Sequence, residues 1–266
     1  MKNLKILKQI IITSIQVDTA YVFNNWASIS SIIFYMIANV VFINILFMNV
    51  NEIAGYSKDA VLLFNFMSQF WFFVLVSICF KNVDLLIQGV KTGTFDLILM
   101  KPTSSLFLSM FSNLSILGTF REGIPSLIIL LIAINWNNLE IDPLNFLIGF
   151  LIAILGIAIS IIVNFIVALP VFRTGDSTHF IDIYSTIEEG SGHSNLIFEI
   201  WNDFFKFFFT FIIPTTISTA ISTSVILGKS DPFEMLFYSI TVFIIFSIVL
   251  LKLWKLALRN YSSASS

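Results

Sequence analysis

The chain has 266 residues, 57% hydrophobic and 11% charged, with 14 Lys and Arg against 16 Asp and Glu and a mean hydropathy of +0.94. Soluble domains carry about 25% charged residues, and 30 Phe in one would leave large exposed apolar patches, so a soluble globular protein is excluded and an all-α integral membrane protein is predicted. A net charge of −2 offers no footprint for nucleic acid, and a single cysteine, Cys79, excludes an internal disulfide.

The first 18 residues, MKNLKILKQIIITSIQVD, place Lys2, Lys5 and Lys8 at helical spacing with Leu4, Leu7, Ile11 and Ile15 between them. Their apolar core is short, ends at Asp18 and is followed by no A-x-A site, which argues against a signal peptide. An amphipathic helix lying in the headgroup region is predicted within residues 1–28. Beyond it, charge-free runs mark the candidate spans, because charges are costly in hydrocarbon. These runs are 19–51, 60–80, 102–120, 123–139, 143–172, 207–228 and 235–251. A helix needs about 20 residues to cross roughly 30 Å of hydrocarbon. Six spans are predicted in a single membrane domain, at about 29–50, 61–80, 113–134, 144–168, 205–227 and 233–252. No repeat period or low-complexity linker interrupts them.

The third span crosses Arg121 and Glu122, the only charges expected deep in the membrane. Two readings stay open: residues at a shallow helix start, or a polar contact across helices or along a substrate path. Asn39, Asn44, Asn49 and Asn164 offer the same choice, with interhelical hydrogen bonding the more ordinary role. Lysine and arginine placement sets the orientation. With the N-terminus inside, the cytoplasmic side receives Lys2, Lys5, Lys8, Lys81, Lys91, Lys101, Arg173, Lys206, Lys252, Lys255 and Arg259, and the outer side only Lys58 and Lys229. Both termini are therefore expected to be cytoplasmic.

On that topology residues 81–112 form the first cytoplasmic loop. KNVDLLIQGVKTG carries Val83, Leu86, Ile87 and Val90 at helical spacing beside Asp84 and Lys91, which predicts a short amphipathic helix ended by glycines. FDLILM then runs apolar to Lys101 and Pro102, where the proline disfavours helix at Lys101. A compact, partly buried elbow is expected, either lying at the interface or docking a soluble partner.

Chemistry of its own is not legible. LGKSD, residues 227–231, ends like a phosphate loop, but Thr223 stands where the first glycine belongs. His179 and His193 lie fourteen residues apart in an acidic segment, 173–200, without compact ligand spacing. No Ser-His-Asp set, H-E-x-x-H or carboxylate pair emerges, so neither a catalytic residue nor a metal site is expected.

The order G-x-x-x-G-x-x-D-x-x-L-x-K-P, running through Gly89, Gly93, Asp96, Leu99, Lys101 and Pro102, resembles the first cytoplasmic loop of ABC-2-type permeases. Narrower still is the likeness to the six-span ABC-2 family transporter proteins of bacterial exporters. Their terminal signature is similar to the W-x-x-x-L-x-x-Y-S-S-A-S seen here from Trp254 through Leu258, Tyr261, Ser262, Ser263 and Ala264 to Ser265. FIIPTTISTAISTSVILGK, residues 211–229 with Pro214 inside, resembles their fifth span. Departures fall before that span, where GHSNLIFEI lacks the expected Pro, and at Thr219-Ala220 where relatives have Pro-Ala.

The resemblance implies a permease subunit of an exporter in the bacterial plasma (inner) membrane, without ATPase activity of its own. A second copy or related permease and two cytoplasmic ATPase subunits are its implied partners. ATP and Mg would be bound by those subunits and no cofactor by this chain. Asp84, Gly89, Lys91, Gly93, Asp96, Lys101 and Pro102 would form the ATPase-coupling loop, with the Ser-rich tail against the cytoplasmic face. Outside that resemblance two other classes fit the composition. A stand-alone channel or secondary transporter would move its substrate on an ion gradient without an ATPase. A membrane scaffold or immunity-type protein would keep its function when the loop and the Arg121-Glu122 pair are disrupted. The uncharged, aromatic-rich spans suit a hydrophobic or amphiphilic cargo.

Overall fold

The computed structural model describes residues 8–13, 16, 22–188, 202, 204, 207–212, 214 and 216–261. Among them every regular element is helical, apart from a lone antiparallel bridge between Ile53 and Tyr56. Helix α1 is Val22–Leu46. Helix α2, Lys58–Leu75, starts on Ser57, whose hydroxyl accepts from the Ala60 N–H at 3.4 Å. It passes through a π turn, Val76–Phe80, into α3, Lys81–Thr92. Lys58–Thr92 is thus one rod of 35 residues, about 50 Å long at 1.5 Å per residue. That exceeds the hydrocarbon thickness of about 30 Å, so one end projects from it.

Short helices α4, Asp96–Leu99, and α5, Ser105–Phe111, lead to α6, Ile116–Ala133, which carries Pro125. Helix α7, Pro143–Ala168, begins at an Asp-Pro pair. The Asp142 carboxylate accepts from the Leu144 and Asn145 N–H groups at 3.1 Å each, and Pro143 loses nothing at the first helical position because that N–H has no partner anyway. The same device starts α11, Pro232–Asn260, where Asp231 accepts from the Glu234 N–H at 2.8 Å. Between them lie α8, Val171–Thr174, and α9, Thr178–Glu188. Two π turns follow, Phe208–Ile212 and Ile217–Ile221, the second continuing into α10, Ser222–Ile226.

Among the described residues four helices are long and apolar enough to cross a membrane, in the stretches Ile29–Leu46, Lys58–Thr92, Pro143–Thr174 and Pro232–Asn260. Gly123–Ala133 and Ile217–Ile226 are shorter apolar helices. The predicted fourth and sixth spans match α7 and α11. The others differ. The predicted first span begins at 29, but its helix starts at Val22. The second, predicted at 61–80, is continuous through the π turn with the amphipathic helix predicted after it. The third is three residues shorter at its start, where residues 113–115 are not helical. The fifth is not one continuous α-helix: Pro214, which cannot donate a backbone hydrogen bond, lies outside helix between the two π turns. Of the predicted N-terminal interfacial helix, residues 8–13 and 16 are helical and 22–28 already belong to α1; 1–7, 14–15 and 17–21 are outside the described residues. The acidic segment 173–200, expected as a loop, contains α9.

Helix α7 is the centre of the packing. Its Ile152, Ile159 and Val163 meet Ile217, Ile221 and Val225 in one buried cluster. Gly149 and Gly156, two turns apart on one face, let the Ile217–Ile226 segment approach to backbone contact. A methyl at Gly149 would come within 2.8 Å of the Ser222 carbonyl, and one at Gly156 would overlap the Ser218 backbone. Small residues make such close contact possible. The segment's buried hydroxyls turn back on its own carbonyls: Ser222 donates to Ser218 and Thr219 at 2.8 and 2.9 Å, and Ser224 to Ile221 at 2.9 Å.

Polar contacts gather at the two ends of the bundle. At one end Lys58 donates to the Asn44 carboxamide oxygen at 3.2 Å. There the buried Asp59 accepts from the Asn135 N–H at 2.9 Å and the Asn138 amide at 2.8 Å. The Lys229 ammonium donates to the Gly55 carbonyl and lies 4.1 Å over the Tyr56 ring. The opposite end holds the elbow.

Candidate functional site: a buttressed elbow and the cleft beside it

Helix α3 stops at Gly93, whose φ of 77° is the left-handed conformation that glycine adopts without strain. The chain reverses there, and the Phe95 N–H donates to the Gly89 carbonyl at 2.9 Å. The Phe95 side chain is fully buried, at 0% exposure. Its ring centroid lies 5.1 Å from Phe172, 5.4 Å from Tyr261 and 6.2 Å from Trp254, in each case edge to face. Phe172 is 5.7 Å from both Trp254 and Tyr261. The Trp254 indole N–H donates to the Ser105 hydroxyl at 3.3 Å. One aromatic quartet therefore joins the turn after α3, the α8 turn, the start of α5 and the end of α11.

A second tie is electrostatic. The Lys91 ammonium lies 2.8 Å from the Asp176 carboxylate and donates to the Thr178 hydroxyl at 3.3 Å. Asp176 also accepts from the Thr178 N–H at 2.9 Å and its hydroxyl at 2.6 Å. Lys91 first, and Thr178 second, hold the Asp176 carboxyl well below the usual carboxylate range. Exposed pairs of this kind contribute little to stability, whereas each edge-to-face aromatic pair is worth about 0.5–1.5 kcal/mol beyond its burial. The quartet is the main fastening.

Outside this fastening, α4 and the residue after it present apolar side chains outward. Leu97 is 57% and Met100 72% exposed, with Leu99 and Lys101 also exposed beside them. The elbow is held on its inner side and open on its outer side.

A cleft opens where α2 passes into α3. The π turn lets Ser77 offer its carbonyl to the Ser115 N–H at 2.9 Å. Next to it the fully buried Asn82 donates to the Ile78 carbonyl at 2.7 Å and the Asn113 carbonyl at 2.6 Å. Its carboxamide oxygen accepts from the Ser112 hydroxyl at 3.1 Å and the Asn113 N–H at 2.9 Å. Both donors and both lone pairs of the amide are used, and the non-helical joint between α5 and α6 is clamped to the rod. The cleft beside this clamp has a volume of about 570 Å³. Val76, Phe80, Lys81 and Asp84 line it from the rod, Asn164 from α7, and Ile181 from α9.

A model of ABC-2 family transporter proteins matches residues 33–265. The chain belongs to the ABC-2 transporter family. Its members are permeases of ABC-type transporters, membrane subunits that are generally non-catalytic and work with ABC ATPase subunits. No curated protein and no solved structure matches the chain.

Of the elbow residues singled out in this ABC-2 permease, Gly89, Lys91, Gly93 and Asp96 surround the Phe95 turn, and Lys101 and Pro102 follow α4 on the exposed side. Gly93 is required by its backbone. Gly89 is not, since a methyl there would meet Phe95 at an ordinary 3.6 Å. Asp84 stands apart from the elbow, in the cleft. Trp254 and Tyr261 join the elbow through the quartet, while Ser262, Ser263, Ala264 and Ser265 lie outside the described residues. Asn164 faces the cleft and donates to the Ser160 carbonyl at 2.9 Å. Arg121 is half-buried on α6 and does not line the cleft; the Glu122 side chain is outside the described set. Sequence reasoning missed Phe95, Phe172 and Asn82. The one signal for Phe95 was its place just past a glycine helix stop, where an apolar contact commonly follows.

Proposed function

We propose that this chain is the membrane-spanning permease subunit of a bacterial ABC exporter, with six crossings, both termini cytoplasmic, and a pathway completed by a second permease copy or a related one. Two ATPase subunits, carrying ATP and Mg, drive it, and the elbow is where they engage. The observation that carries this reading is the elbow's two-sided construction. A segment fastened to α8 and α11 moves with them, and its exposed Leu97 and Met100 offer a soluble partner an apolar foothold. The six-crossing reading is supported by the contacts at the two bundle ends. Asn44, Asp59, Asn135 and Lys229 meet at one end, and Phe95, Phe172 and Trp254 at the other, so successive segments run in alternate directions.

The test is co-reconstitution of the permease with its ATPase in proteoliposomes. The permease is expected to change the ATP hydrolysis rate, and Leu97→Asp with Met100→Asp to abolish that effect while leaving insertion intact. An ATPase indifferent to the permease, with transport driven instead by an ion gradient, would overturn the reading.

A further inference from the structure

The cleft beside the Asn82 clamp carries a feature that coupling to an ATPase does not use. Lys81 and Asp84 stand one helical turn apart on α3 and both line it. Neither is engaged in an ion pair among the described residues. A cation and an anion left open on one wall are matched by a ligand bearing both charges a few ångströms apart. Around them Val76, Phe80, Val83 and Ile181 supply an apolar stretch of wall, with Asn113, Ser115 and Ser185 completing the lining. Deeper in, Asn164 is 3% exposed, lines the same cleft and donates one amide N–H to the Ser160 carbonyl at 2.9 Å. The volume of about 570 Å³ falls in the range of small-molecule sites. Position adds a constraint. Residues 60–80 are free of charge and the charges begin at Lys81, so the cleft lies where the apolar part of the rod gives way to its polar part. That is the level of a membrane interface.

We propose that this cleft binds a zwitterionic amphiphile. Its anionic group sits on Lys81, its ammonium on Asp84, and its hydrocarbon portion along Val76, Phe80, Val83 and Ile181. This assigns Asp84 to ligand binding rather than to the coupling loop. It rests on the transport reading only in taking the bound molecule as cargo; the binding itself needs neither ATP nor a partner. A phospholipid of the bilayer and a soluble amphiphile share the required chemistry.

The experiment uses the full chain in vesicles, with a phosphatidylethanolamine carrying a photoreactive group on its acyl chain, and reads the labelled peptides by mass spectrometry. Saturable labelling of residues 76–84 and 181–185, competed by unlabelled phosphatidylethanolamine, is expected. Lys81→Gln and Asp84→Asn should each weaken it about tenfold, the value of one hydrogen bond to a charged group. Exchanging the two charges, Lys81→Asp with Asp84→Lys, should restore it, which separates lost recognition from lost folding. A phosphatidylglycerol probe should depend on Lys81 and be indifferent to Asp84→Asn. Labelling from vesicle-borne probe assigns the ligand to the bilayer; labelling only by a short-chain form added from water assigns it to a soluble amphiphile. Unsaturable labelling spread over the exposed faces of α1 and α11, or labelling insensitive to both charges, would overturn the proposal. Because no ATP is present, failure of the exporter reading would leave these outcomes unchanged.

Discussion

Replacing Phe95 by alanine should unfasten the elbow without unfolding the bundle. The ring is wholly buried and makes edge-to-face contacts at 5.1, 5.4 and 6.2 Å with Phe172, Tyr261 and Trp254. Removing a buried Phe side chain costs about 3–5 kcal/mol. Every 1.4 kcal/mol is a factor of about ten, so local opening of the elbow should rise about a hundred- to several-thousand-fold. Phe95→Leu keeps most of the apolar volume and loses the ring geometry, so its effect should be near 1–2 kcal/mol, or about five- to thirtyfold. Hydrogen exchange by mass spectrometry reads this directly, since local openings have their own free energies. Amides of 93–105, the α8 turn and the last turns of α11 should exchange faster. Those of 53–60 and 135–139, held by the Asp59 contacts at the other end, should not change. Equal acceleration everywhere, or none at the elbow, would refute the claim that the quartet is a local fastening.

Three further outcomes are expected. Asn82→Ala leaves the Asn113 N–H and carbonyl without their partner, at about 1–3 kcal/mol for each unsatisfied group, and should lower the thermal midpoint in detergent while exposing 112–115 to protease. Gly156→Ala forces a methyl into the Ser218 backbone and should destabilise by about 1–3 kcal/mol through overpacking, whereas Gly89→Ala, with ordinary contacts only, should be nearly neutral in the same melt. Asp176, its carboxyl pulled below the usual value by Lys91, contributes a tie that is fully present above the unfolded carboxylate pKa of about 3.9 and is lost only as pH falls through its lower folded value. Protease access to the 174–178 turn should therefore be constant from neutral pH to about 5, and Asp176→Asn should raise it at neutral pH.

Charge placement made much of the fold legible. Asp142-Pro143 and Asp231-Pro232 close the charged turns before α7 and α11, and both helices began where predicted. A charge that ends the hydrocarbon stretch does not by itself end the helix. Lys81 marks a change of solvent, yet its backbone continues through a π turn, and Lys252, Lys255 and Arg259 likewise ride on an unbroken α11. A charge-free run, in turn, says nothing about the backbone, and the fifth predicted span is not one continuous α-helix because of Pro214. At the site, the glycine at 93 and the Lys-Pro after α4 announced an elbow, but Phe95 is one of 30 Phe and nothing local distinguishes it. Asn82 sits between Lys81 and Asp84 and reads as a solvated residue. Only the fold brings Ser112 and Asn113 to it. Gly149 and Gly156 were readable in principle, because two small residues seven positions apart fall on one helix face.

The central claim, that the outer face of the elbow is where the ATPase engages, is tested most directly by a cross-linker placed at Met100→Cys. The natural thiol, Cys79, is buried at 0% exposure, while Met100 is 72% exposed, so a thiol-tethered photoreactive probe would report from position 100. The control is Met48→Cys, 80% exposed just beyond α1 at the opposite end of the bundle. In native membranes the probe at 100 should capture an ABC ATPase subunit and the probe at 48 should not. Capture from both positions, or capture from 100 of lipid alone while the ATPase remains bound elsewhere on the permease, would contradict the claim.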